Sequence, residues 1–103
     1  MTEFKTAVAA SKLPPGRMIT IELRGERILL ANVGGRYYGM GGTCTHEEWD
    51  LSEGSLEDTK LTCAGHGSVW DLTTGRAEFD EPLPDEPLYE VKEADGFLLV
   101  RKR

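Results

Sequence analysis

The stretch from Gly41 to Phe79 reads GGTCTHEEWDLSEGSLEDTKLTCAGHGSVWDLTTGRAEF and holds both cysteines and both histidines of the chain. They fall into two pairs, Cys44-Thr45-His46 and Cys63-Ala64-Gly65-His66, with sixteen residues between His46 and Cys63. Each pair sets one sulfur and one imidazole nitrogen on a single short loop. Donors this close in sequence reach one small centre without a long closure penalty. Glycines at 41, 42, 65 and 67 give the backbone freedom to curl around inorganic atoms with N–H groups turned toward sulfur. The simplest reading is one metal centre with two thiolates and two imidazoles.

Outward from this stretch the pattern is β. Ile19, Ile21 and Leu23 alternate with Thr20, Glu22 and Arg24, the period of a half-buried strand. Arg24-Gly25-Glu26 reads as a tight hairpin turn before the apolar run Ile28-Leu29-Leu30-Ala31, and Gly34-Gly35 as a second turn before Tyr37 and Tyr38. Leu61 and Val69-Trp70 mark short strands on either side of the second pair, and Thr74-Gly75 a turn before Ala77-Glu78-Phe79. Leu88–Val91 and Phe97–Val100 flank Asp95-Gly96 as a terminal hairpin. No long helical period occurs, and twelve glycines and five prolines fit many short strands with tight turns. From Asp80 to Pro87 an acidic, proline-rich loop is excluded from any central strand.

The bulk numbers restrict the function. A chain of 103 residues makes one small domain, for which a buried metal adds useful stability. A net charge of −6 argues against nucleic acid and for docking on a basic patch of another protein. No apolar run approaches transmembrane length and nothing resembles a signal peptide, so the expectation is a cytoplasmic monomer without membrane contact. No nucleophile has a spare histidine, and no glycine loop for phosphate precedes a helix, so the chain reads as a carrier rather than an enzyme.

Two other readings of the four residues stand beside the cluster. Cys44 and Cys63 could form a disulfide, although small secreted scaffolds usually carry more cysteines. Cys2His2 is also a tetrahedral zinc set, which would make the chain a zinc-stabilised interaction domain. The mixed loops, with glycine flanking the second pair, favour iron–sulfur over zinc.

The surrounding residues carry a resemblance. Thr43-Cys44-Thr45-His46 with Leu51 and Gly54, then Cys63-Ala64-Gly65-His66-Gly67-Ser68 with Trp70-Asp71 and Thr74-Gly75, resembles the two cluster boxes of the Rieske family. The resemblance implies an all-β fold: an antiparallel β-sandwich base with an inserted cluster-binding subdomain of two ligand loops, about residues 41–79 of a single domain over 1–103. It implies a [2Fe–2S] cluster, with Cys44 and Cys63 on a buried iron and His46 and His66, through Nδ1, on an outer one. In such centres two histidines replace two cysteines on one iron, raising the class potential to roughly −150 to +300 mV. Residues 82–87 would shield the cluster on one side.

Departures sharpen the expectation. The high-potential members have two further cysteines, a serine two residues after the second histidine and a tyrosine four residues after it. Here the extra cysteines are absent, Ser68 keeps the first hydroxyl as a cluster neighbour, Trp70 replaces the second, and Ala64 stands where proline is usual. Fewer donors to sulfur stabilise the reduced state less. The implied function is that of a lower-potential ferredoxin passing single electrons from a flavin reductase to an oxygenase or other terminal acceptor. A small regulatory subunit, similar to the Rieske-like partner of nitrite reductases, is the further alternative; many of those have lost ligands that are all present here.

Overall fold

The computed structural model describes residues 4–23, 25–42, 51–63, 68–78 and 86–102. Among the described residues ten strands alternate with tight turns: β1 (Lys5–Ala9), β2 (Met18–Leu23), β3 (Glu26–Val33), β4 (Arg36–Gly41), β5 (Ser55–Glu57), β6 (Lys60–Thr62), β7 (Val69–Asp71), β8 (Ala77–Glu78), β9 (Leu88–Ala94) and β10 (Phe97–Lys102). Single 3-10 turns occupy Ala10–Lys12 and Leu51–Glu53. Among the described residues no helix is long and apolar enough to cross a membrane.

Two antiparallel sheets result. The larger runs β1-β10-β9-β4-β3-β2 and the smaller β5-β6-β7-β8. The base is built from hairpins whose turns suit their residues. Val33 pairs with Arg36 across Gly34-Gly35, whose φ values of +61° and +95° give the twist that a two-residue hairpin turn needs. Ala94 pairs with Phe97 across Asp95-Gly96, again with both φ values positive. The expected turn at 24–26 is tighter than the sequence implied, because Glu26 already pairs with Leu23 and opens β3. Arg24 itself lies outside the described residues.

β3 explains the apolar run. Leu29 and Ala31 enter one core cluster, whereas Ile28 and Leu30 enter another on the opposite face. A strand buried on both faces reads as a continuous apolar stretch rather than an alternation. The second cluster also takes Leu98 and Val100 of β10, and Val8, Ile19 and Ile21 pack against it. Residues from opposite ends of the strand order thus share one core, so the six-stranded sheet is folded over itself as a sandwich. The two neighbouring tyrosines follow the same logic. Tyr37 packs on the second cluster and Tyr38 on the first, and both are half-buried. Asn32 is buried at 3% exposure yet satisfied: its Nδ2 donates to Leu13 O and its Oδ1 accepts from Gly35 N.

The smaller sheet is an insertion. It lies in sequence between β4 and β9, which pair directly through Gly39–Tyr89 and Met40–Leu88. Leu51, Leu61, Cys63, Trp70 and Leu72 from this inserted segment complete the first cluster with Leu29, Ala31 and Met40. Each fully buried side chain of this size contributes about 1.5–3 kcal/mol. The insertion is therefore fixed to the base by a shared core rather than by a flexible stalk.

Candidate metal centre

Three loop stems lie where the insertion meets the base, and a backbone hydrogen bond closes each. Leu51 N–H donates to Gly42 O at 3.0 Å, tying off residues 43–50. Cys63 N–H donates to Ser68 O at 2.8 Å, tying off residues 64–67. Glu86 N–H donates to Gly75 O at 2.8 Å and closes the acidic proline loop. Each bond satisfies the backbone groups at the stem and fixes where the chain enters and leaves the loop.

Cys63 is the one expected donor among the described residues; Cys44, His46 and His66 lie outside them, as do Glu47, Glu48 and Trp49. Cys63 follows β6 directly, is 2% exposed and is not in a disulfide. The ladder Leu61–Trp70, Thr62–Val69 continues one step into the Cys63–Ser68 pair. Opposed residues of an antiparallel pair project from the same face, with β-carbons about 4.5–5.5 Å apart. Ser68 therefore shares a face with the Cys63 sulfur, and it is fully buried. The indole Nε1–H of Trp70 donates to Ser68 Oγ at 3.2 Å. Trp70 is itself fully buried, a core residue as expected, and so is Leu51.

Gly54 brings the first two loops together. A β-carbon there would run into the Thr62 carbonyl oxygen and lie 3.3 Å from Cys63 Cα. Only a residue without a side chain lets the end of the first loop lie against the stem of the second. The third loop is held from beneath by Glu86, whose carboxylate lies where a side chain on Gly41 would project. At 6% exposure Glu86 is a buried acid, set there by the Gly75 bond and the proline that follows it. Asp58, by contrast, is exposed at a turn with φ +53°.

Asp71 organises the turn beyond β7. Its Oδ1 accepts from Thr73 Oγ1 at 2.6 Å and from Thr73 N at 2.8 Å, and its carbonyl accepts from Gly75 N at 2.7 Å. The Thr73 hydroxyl, then the Thr73 amide, hold the carboxyl below its ordinary value, with Lys60 at 3.6 Å adding attraction. Lys60 also pairs with Glu78 at 2.9 Å, and that hydrogen bond raises its own pKa. Sequence reading passed over Asp71 as a structural residue, although Asp-x-Thr is a legible side-chain-to-backbone turn signal.

The donor chemistry fits a cluster that keeps sulfur inside. A buried, unpaired thiol lies among Leu51, Leu61, Trp70 and Leu72 at the junction of two closed loops. A small β-sandwich bearing such an insertion is the frame of an iron–sulfur electron carrier. The family model describing the Rieske [2Fe-2S] domain matches residues 3–92. The chain is 40% identical over 70 residues to the ferredoxin component of biphenyl 2,3-dioxygenase from Rhodococcus jostii (strain RHA1), covering 68% of this chain and 65% of that protein. It is 31% identical to the biphenyl dioxygenase ferredoxin subunit of Pseudomonas sp. (strain KKS102), covering 82% of this chain and 77% of that one. Among solved structures, a complex of reduced oxygenase and oxidized ferredoxin in carbazole 1,9a-dioxygenase superposes with a TM-score of 0.84 at 28% identity, over 94% of this chain and 91% of that one. This chain belongs to the Rieske [2Fe–2S] domain family, and its cofactor is a Rieske-type [2Fe–2S] cluster rather than zinc.

Proposed function

We propose that this protein is a cytoplasmic Rieske-type ferredoxin, one domain over 1–103, that takes single electrons from a flavin reductase and delivers them to a ring-hydroxylating oxygenase. Cys44, His46, Cys63 and His66 are the ligands in this reading, with Ser68 beside them. The observation that supports it best is the convergence at Gly54, which sets the end of the loop bearing Cys44 and His46 against the stem that carries Cys63. The relatives named as ferredoxin components of dioxygenase systems, and the complex of a ferredoxin with its oxygenase, supply the partner class.

The division of labour follows from the residues. When bound, the cluster supplies a one-electron couple. Leu51, Leu61 and Trp70 keep water from the Cys63 side, which lowers the local dielectric and steepens the effect of each nearby dipole. The closed stems fix the backbone at the ends of both loops. The carrier itself does no bond chemistry on a substrate.

Purified anaerobically, the protein should be red-brown, hold iron and acid-labile sulfide in equal amounts, and give a Rieske-type electron paramagnetic resonance signal after dithionite reduction. A colourless protein with stoichiometric zinc would overturn the reading.

A further inference from the structure

Glu86 is the one acidic side chain buried among the described residues. Backbone bonds fix it where the loop stems meet: its N–H donates to Gly75 O, and the carbonyl of Pro87 beside it accepts from Gly41 N at 2.8 Å. A side chain on Gly41 would meet the Glu86 carboxylate, and one on Gly75 would meet its carbonyl oxygen. The carboxylate therefore lies against the backbone from which the first loop departs. Cys44 follows Gly41 by three residues, a reach of at most about 11 Å. On the core side, Met40 precedes Gly41 and packs in the cluster that contains Cys63. The charge of Glu86 is also felt at Tyr89. That phenol is pushed up to about 12 by burial first, then by the bond and charge of Glu26, with Glu86 adding to them.

We propose that Glu86 sets the charge around the redox centre: it is an ionised carboxylate, buried at the stem of the first loop, whose field disfavours the added electron. This deepens the Rieske reading and rests on it. Reduction adds one negative charge at the centre, and like charges repel more strongly through a protein core than through water. At a separation of about 12 Å and an effective dielectric constant of about 20, the repulsion amounts to about tenfold in the reduced-to-oxidised ratio. The lower potential expected of this chain then has a second cause. Besides fewer donors to sulfur, a fixed anion lies at the junction of insertion and base.

The test is the midpoint potential of cluster-loaded protein, measured by voltammetry. Glu86→Gln removes the charge at nearly constant shape. It should raise the reduced-to-oxidised ratio at fixed voltage about tenfold, about 59 mV for a one-electron couple. Glu86→Met, apolar and of similar length, should give the same rise, and it answers the question where an amide in that place hinders folding. Glu86→Asp keeps the charge while disturbing the packing, and should stay closer to wild type than either. The Glu86→Gln shift should persist in about 1 M salt, which screens exposed charges far more than buried ones. An unchanged potential in the Gln or Met variant overturns the proposal, as does an Asp variant that shifts as far as they do. A Glu86→Gln shift that vanishes in high salt overturns it too. All these variants are compared with the same cluster in place, so failure here differs from failure of wild-type protein to hold iron, which would defeat the Rieske reading itself.

Discussion

Single atoms decide whether the two ligand loops can meet. Gly54→Ala pushes a methyl into the Thr62 carbonyl, and because that neighbour is backbone it cannot rotate away. Overpacking of this kind costs about 1–3 kcal/mol. The expected outcome is a denaturation midpoint lowered accordingly and a lower iron content per chain, whereas unchanged stability and iron would show that the stems can separate. Asp71 tests a different kind of contact. Its carboxyl titrates below its ordinary value of 3.8, chiefly through Thr73. A lowered folded pKa gives stability that is present above the ordinary value and lost as pH falls through the folded one. Asp71→Asn should therefore destabilise the protein at neutral pH and flatten its loss of stability below about pH 4; equal acid limbs for the two proteins would refute the assignment. At the proposed ligand His66, His66→Cys exchanges a neutral imidazole for a thiolate. The added negative charge should lower the potential of whatever cluster is retained, and an unmoved potential would count against His66 as a ligand.

At the scale of elements, β3 sorts its neighbours by parity. Leu29 faces the cluster that contains Cys63, and Leu30 faces the other core. Truncating either to alanine should cost about 2–5 kcal/mol. Only Leu29→Ala should also loosen the centre, seen as faster iron release to a chelator at matched stability; equal release from both variants would show that the two cores are mechanically one. The same parity shows what the chain reveals before it folds. Gly34-Gly35 and Asp95-Gly96 declare their hairpins because their turns need residues tolerant of positive φ, which is a local requirement. The proposed ligand pairs stand out in the sequence for a similar reason, since sulfur and imidazole carry their chemistry with them. β1 is less legible, because Lys5–Ala9 is an edge strand whose one partner, β10, lies about ninety residues away in sequence, and its register breaks between Thr6 and Val8. The burial of Glu86 is set by Gly41 and Gly75, distant residues whose small size matters only once the strands are paired. Tyr37 and Tyr38 pack on different cores because the folded-over sheet and the insertion each cover part of one face of β4, which no periodicity in β4 alone can signal.

Across the whole molecule, charge and architecture divide the work of a carrier. The stems of the two proposed ligand loops sit at the junction of insertion and base, and the chain as a whole carries a net charge of −6. Charge of one sign acts at a distance on encounter with a partner, while the buried centre is shielded from mobile ions. Raising ionic strength shortens the Debye length from about 30 Å at 0.01 M to about 10 Å at 0.1 M, so attraction to a basic docking patch fades over that range. The second-order rate of electron delivery to an oxygenase with such a patch should accordingly fall as salt rises, while the midpoint potential moves little. Stopped-flow rates at several salt concentrations, paired with voltammetry on the same samples, separate the two effects. A rate indifferent to salt would mean that apolar contact beside the ligand loops, rather than the overall field, governs docking.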